Sequence, residues 1–357
     1  MPTFDSLGST DNARISAANA YHKAHGGRVL EPIILPSRVV THSVPIELWS
    51  GARWVAPGGP AREYSRGSVL KYTGTGAQFR FTRTQTAQGY PGDGSPRDSN
   101  FECIQFEGSG DCFESYDPTT YPQNGHGRVA WMTSFWGCGW KHFNRIYWGW
   151  WDGLNITGPT HTQGIKDTPF YLGGSESTLF GAESSFMDNN TWQKTPKPFI
   201  RSRMEKSTIG RVMPTARGWS YQLKIEAGNN LEVNGARFDS QDSDPVSGAS
   251  VRIEGGVNLS ITNCSFKGQA NDLAGAFEHG LIEVTRGRQI TIMGNNFLRD
   301  ATKAPPDTPL VYAGPNVQQG AIIFGPNNFE GFTGIVHQYR PGQIISTDPR
   351  ITVRTQQ

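Results

Sequence analysis

The 357-residue chain is long enough for one large domain or two ordinary ones, and a core of that size needs neither disulfides nor metal. Charged residues make up only 18%, Gly at 43 residues is well above its usual ~7%, and 19 Phe, 11 Tyr and 10 Trp argue against disorder. A net charge of +2 with no Lys/Arg cluster leaves no nucleic-acid footprint, and no run approaches the ~18 apolar residues of a membrane helix.

The N-terminus, Met1-Pro2-Thr3-Phe4-Asp5, lacks the basic and apolar regions of a signal peptide. Thr10-Asp11-Asn12 offers capping side chains to a helix in which Ile15, Ala18, Tyr21 and Ala24 recur at helical spacing. Gly26-Gly27 ends it, and short apolar strands are predicted at Val29-Leu30 and Ile33-Ile34-Leu35. Cys103, Cys112, Cys138 and Cys264 form no CxxC and have no His at zinc spacing. They read as buried reduced thiols, with a Cys103–Cys112 bridge as the main exception.

Six of the ten Trp fall between 131 and 151: Trp131, Trp136, Trp140, Trp148, Trp150 and Trp151. Phe135, Phe143 and Tyr147 lie among them, interleaved with His142, Asn144, Arg145 and Asp152. Indole faces stack on sugar rings and are enriched at protein interfaces, but they also fill cores, so three readings stand open. In Trp148-Gly149-Trp150-Trp151 both strand parities occur, which turns at least one ring outward. The six Trp with His142 and Arg145 are the candidate glycan-binding or subunit-interface residues. Segment 187–220, rich in Pro, Arg and Lys, is expected to break any regular pattern.

The C-terminal third holds a repeat. Adding 28 to the positions of Leu223, Ile225, Leu231, Val233 and Phe238 gives Val251, Ile253, Leu259, Ile261 and Phe266. Adding 31 to those gives Ile282, Val284, Ile290, Ile292 and Phe297. A further step of 32 carries the last three onto Ile322, Phe324 and Phe329, while the first two positions fall in Pro/Gly sequence. Leu179 with Phe186 is an earlier, fainter instance, and Leu154-Asn155-Ile156 and Val129-Ala130-Trp131 are candidates for others. Each unit has two short runs of period two, such as Val251-Arg252-Ile253-Glu254, then a turn and a Phe. Such a unit buries its apolar face only by stacking on copies of itself, with strands paired in parallel between turns. The expected fold is all-β, a right-handed parallel β-helix with its clearest turns at 221–335. Asn and Gly recur before the Phe, where corners demand left-handed backbone.

The opening, Gly8-Ser9-Thr10-Asp11-Asn12-Ala13-Arg14-Ile15, then Ala17, Ala20 and Gly26-Gly27-Arg28-Val29, resembles the lead-in of the pectate-lyase-like β-helix superfamily. Asp-Asn stands where that family has Asp-Asp. The resemblance implies a capping helix over the solenoid's open end, dividing the chain into a lead-in (1–36) and a body (37–357). It also implies one of three roles: a pectin-degrading hydrolase, a lyase, or a tail spike or minor tail protein of a bacteriophage. Phage members are usually homotrimers, burying the Trp segment or 187–220.

Of the polygalacturonase-like pattern only Gly125-His126-Gly127 is present, and the chain has no Asp-Asp. Inverting glycosidases need two carboxyls ~6.5–9.5 Å apart, for which Glu232 with Asp239 is one candidate among many. Asp239, Asp242 and Asp244 form an acidic loop without the Gly and Glu of an EF-hand. No catalytic residue, metal ligand or cofactor site is assigned. The chain therefore reads first as a phage tail-associated β-helix (minor tail protein or receptor-binding spike) carried in the virion without a signal peptide. Its expected partners are other tail proteins and host cell-wall polysaccharide. A polysaccharide hydrolase or lyase comes second, and an architectural tail component third.

Overall fold

All fifteen apolar positions of the repeat are buried. A computed structural model describes residues 3–25, 31–59, 67–81, 96–119, 128–158, 160–180, 182–184, 198–213, 221–239, 249–268, 280–299 and 305–356. The chain divides into two compact units, Met1–Ser185 and Phe186–Gln357. Each is a stack of parallel turns, right-handed as such crossovers are.

In the C-terminal unit successive turns contribute strands to three ladders. Leu223–Ile225, Val251–Ile253 and Ile282–Val284 pair in order, so that Leu223 sits on Val251 and Val251 on Ile282. Val233, Ile261 and Ile292 line up likewise in the second ladder. In the third, Phe238, Phe266 and Phe297 are in register, and their rings stack with centroids 5.0 and 4.9 Å apart. The repeat read from the sequence is the ladder register itself.

Two expectations about this unit are corrected. In the first ladder the strand that follows Ile282–Val284 is Val311–Ala313, pairing Ile282 with Val311. It falls short of the position reached by the step that carries Ile290 to Ile322, because the arms between strands change length independently. Segment 187–220 does not break the pattern within 198–213. There Ile200–Glu205 pairs with Leu223–Ile225, and Ser207–Gly210 with Leu231–Asn234. The turn that carries Ile200 onto Leu223 is shorter than the one from Leu223 to Val251, so a search at the later offsets misses it.

The N-terminal unit has a shorter turn still, from Ser134 to Asn155, followed by one from Asn155 to Thr178 that equals the Ile200-to-Leu223 step. Leu154-Asn155-Ile156, Leu179 and Ala130-Trp131 all lie in or beside strands of its ladders. Phe186 falls outside the described residues. The core here is rich in aromatic rings as well as aliphatic side chains. Phe79, Phe113, Tyr147 and Phe170 form one column at spacings of 4.7, 4.9 and 5.8 Å. Phe101 stacks on Phe135 at 4.8 Å beside it. Buried rings of this kind each bring about 150–250 Å² out of water.

One corner recurs through both units. In the C-terminal unit a left-handed residue lies at the second ladder at Asn230, Asn258 and Gln289, with φ of 55°, 55° and 54°. Gly235, Asn263 and Gly294 do the same before the third ladder. The Asn and Gly residues preceding the Phe thus serve the corner geometry expected of them. In the N-terminal unit left-handed residues at corners include Asp98, Met132 and Glu176.

The helix runs Asp11–His25. Thr10 Oγ1 caps it by accepting from the Ala13 N–H at 3.2 Å. Asp11 and Asn12 do different work, tying the helix to the first turn. Asp11 accepts from Arg38 (2.9 and 3.0 Å) and the Thr41 N–H (3.0 Å), and Asn12 accepts from the Ser43 N–H (2.8 Å). The Arg38 guanidinium holds the Asp11 carboxyl below its ordinary range. The buried face carries Ile15, Ala18, Asn19 and His22, with Tyr21 half-buried and Ala24 exposed. It is rotated from the predicted stripe because Asn19 bonds the backbone at Pro45 and Glu47 while His22 packs edge-on to Trp54. Gly26-Gly27 and Val29-Leu30 lie outside the described residues. All four cysteines are free and buried, so Cys103 and Cys112 are not bridged.

Candidate functional site

The strand Tyr147–Asp152 sorts the Trp cluster by parity. Tyr147 and Trp151 point inward and are buried, whereas Trp148 and Trp150 are half-buried on the outer face. Trp140 is fully buried too, packed on Phe106 and Tyr147. Trp140 and Trp151 are therefore core residues, and the core reading holds for these two.

Trp148 is held from several sides. Its indole N–H donates to the Thr168 carbonyl at 2.8 Å, and its ring meets Tyr171 edge-on at 5.3 Å. The Arg145 guanidinium lies 3.8 Å from its ring centroid. Arg145 is fixed in turn by Asp167 (3.3 Å) and Asp111 (3.9 Å), and Asp111 accepts from Ser115 Oγ at 2.8 Å. Such a cation–π stack is stronger when partly desolvated, as here. Trp150 stands on the same face of the same strand, about 7 Å away. Its partner in register is Gly173, where an added Cβ would come within 2.8 Å of the indole. The missing side chain at Gly173 lets the ring lie across the neighbouring strand. Arg145, Trp148 and Trp150 so form an aromatic shelf on one outer face, with the Asp111 and Asp167 carboxylates paired to Arg145 at its side.

The other candidates are dispersed. Trp131 is half-buried at a corner under the Arg97 guanidinium, 4.1 Å from its ring centroid. Trp136 stands on a different ladder and is 44% exposed. His142 is exposed, with φ of 64°, at the end of the strand Gly139–Lys141, on a third ladder. The residues completing the shelf, Asp111, Asp167, Tyr171 and Gly173, were not picked from the sequence. They are neighbours one turn away, and only the turn length, unreadable in this part of the chain, would have located them.

On the C-terminal unit the outer face of the first ladder carries interlocked charges. Lys224 Nζ lies 3.4 Å from Glu226 and 3.0 Å from Glu254. Arg201 holds Glu226 at 2.7 Å, and Arg252 reaches Glu254 (2.8 Å) and the buried Glu283 (3.3 Å). This is where carboxylates come close together. Glu232 and Asp239, by contrast, lie in strands of different ladders, and Glu232 accepts from Asn234 Nδ2 at 2.8 Å. Asp242, Asp244 and Gly125-His126-Gly127 fall outside the described residues.

The sequence matches no family model and no curated protein. Solved structures are similar in fold. One is the tailspike protein of Escherichia coli bacteriophage HK620, solved with a pentasaccharide, at TM-score 0.57 and 11% identity. The match covers 98% of this chain and 61% of the tailspike, so the chain spans less than two thirds of that protein's length. Another is the Streptococcus pneumoniae surface protein and adhesin PfbA, at TM-score 0.51 and 10% identity, covering 99% of this chain and 96% of that one. The A-module of a mannuronan C-5 epimerase from Azotobacter vinelandii aligns at TM-score 0.46 and 13% identity, over 99% and 100% of the two chains. The fold is a parallel β-helix of the kind found in phage tailspikes.

Proposed function

We propose that this chain is a phage tail-associated β-helix protein, a minor tail protein or receptor-binding spike, that contacts host cell-surface glycan. The observation that carries the reading is the shelf of Arg145, Trp148 and Trp150. Two large rings stand on the outer face of a strand, and their orientation is fixed by Thr168, Asp167 and Gly173. Outward aromatic surface held in place beside carboxylates suits sugar rings, whose axial hydrogens stack and whose hydroxyls donate. The fold is shared with a tailspike solved with an oligosaccharide and with a bacterial adhesin. On this reading the protein works as a homotrimer within the virion, alongside other tail proteins.

A second reading, polysaccharide hydrolase or lyase, draws support from Glu226 and Glu254, two carboxylates in reach of one ammonium. One assay separates the two: incubate the protein with host cell-wall polysaccharide and measure bound protein and released sugar ends together. Binding without release supports the adhesin. Release that disappears in Glu226→Gln or Glu254→Gln supports the enzyme. If Trp150→Ala binds as wild type does, the shelf is not the site.

A further inference from the structure

The strand Ser134–Trp136 turns Phe135 into the core and leaves Ser134 and Trp136 on the outer face. At 44% exposure, Trp136 is the most exposed Trp among the described residues. Nothing in the fold requires a ring there, since other positions in its ladder column are Val55, Glu102 and Thr157. The indole leans onto Gly158, where an added Cβ would lie 2.9 Å from Nε1. Gly158 has φ of 78°, so backbone geometry and clearance for the indole both favour glycine there.

One rung before Trp136 is Glu102. Its Oε1 accepts from Asn100 Nδ2 at 2.8 Å, which fixes the carboxylate at a half-buried position on the outer side of the strand. Ser134, Asn155 and Thr157 occupy neighbouring outward positions, with Asn155 exposed. An exposed indole is thus set among short hydroxyl and amide side chains, with one positioned carboxylate alongside. That is the complement of a pyranose: a face to stack on and hydroxyls to bond. The charge one rung from Trp136 is negative, and Arg53 stands a rung further back, in the column of Asn100. A carboxylate that close to the ring disfavours an acidic sugar.

We propose that Trp136, Glu102 and Asn100 form a second sugar subsite, distinct from the Trp148–Trp150 shelf and selective for a neutral pyranose. Trp136 is the stacking platform, Glu102 the acceptor for a sugar hydroxyl, and Asn100 the residue positioning Glu102. The proposal rests on the reading of the chain as a glycan-binding protein.

The test is calorimetric titration of the full chain with neutral hexasaccharides of glucose, galactose and N-acetylglucosamine, and with a hexagalacturonide. The hexagalacturonide should bind more weakly than the best neutral sugar. Trp136→Ala should weaken that neutral sugar about tenfold at unchanged melting temperature. Glu102→Gln should weaken it severalfold and narrow the gap to the hexagalacturonide. Preferential binding of the hexagalacturonide overturns the proposal. So does wild-type affinity in Trp136→Ala; if Trp150→Ala then abolishes binding, the glycan reading survives and only this subsite falls. No binding to these sugars or to whole host cell wall would remove both.

Discussion

Phe266 stacks on Phe297 with ring centroids 4.9 Å apart and planes 14° from parallel, although the two residues belong to successive turns of the solenoid. Phe238 lies on its other face at 5.0 Å. Phe266 has rings on both sides and no exposure, so the space it leaves cannot close by a small shift. Phe266→Ala should cost about 3–5 kcal/mol in denaturant unfolding. A loss below about 1 kcal/mol would contradict the stacked register.

Trp150 and Trp151 are adjacent in sequence and opposite in role. Trp151→Ala should lower stability by about 3–5 kcal/mol, as for a buried aromatic, and reduce glycan binding only through unfolding. Trp150→Ala should leave the melting temperature nearly unchanged and abolish binding to host cell wall. Thermal melts beside a pull-down on cell wall distinguish the two.

His22 is fully buried on the inner face of the helix Asp11–His25, and neither ring nitrogen has a hydrogen-bond partner. Burial pushes its pKa down from 6.5 to about 4. The unfolded chain therefore takes up a proton that the folded chain refuses. The neutral ring carries no such penalty above pH 6.5, and stability falls as pH drops from there to about 4, by about 3 kcal/mol in all. Stability of His22→Leu, followed against pH by denaturant titration, should lack that slope.

Gln289 holds φ of 54° at an exposed corner, a conformation costing an L-residue about 1–2 kcal/mol. Gln289→Gly should stabilise the protein by about 0.5–1 kcal/mol, since the relieved strain exceeds the glycine's extra entropy. A destabilised variant would mean that the side chain holds the corner. Urea unfolding at neutral pH reads the sign.

The turns from Leu223 to Phe297 were legible because aliphatic residues and one Phe recur there at nearly equal offsets, in strands that pair in register. The N-terminal unit was not. Its turns are short and unequal over the stretch that holds the Trp cluster, and many of its core positions are Phe, Tyr and Trp. Those residue types also suit a binding surface, so composition alone could not separate Trp140 and Trp151 inside from Trp148 and Trp150 outside. Parity within Trp148-Gly149-Trp150-Trp151 did predict that rings face both ways. Asp111, Asp167 and Glu102 were invisible because each matters only through a neighbour on another turn. The helix was found, but its buried stripe was misplaced: Asn19 and His22 are polar, and their burial depends on backbone partners and on Trp54.

The left-handed corner has an evolutionary corollary. Turns as short as that from Ser134 to Asn155 and as long as that from Ile290 to Ile322 keep their strands in register beside such corners, so length is absorbed elsewhere, in the arms. An insertion in an arm enlarges a surface loop without disturbing the ladder, whereas one added residue at the corner would swap inside for outside along the following strand. The surface loops of such a chain are free to change by exchange, while the scaffold's memory resides in a row of single backbone angles rather than in any one side chain.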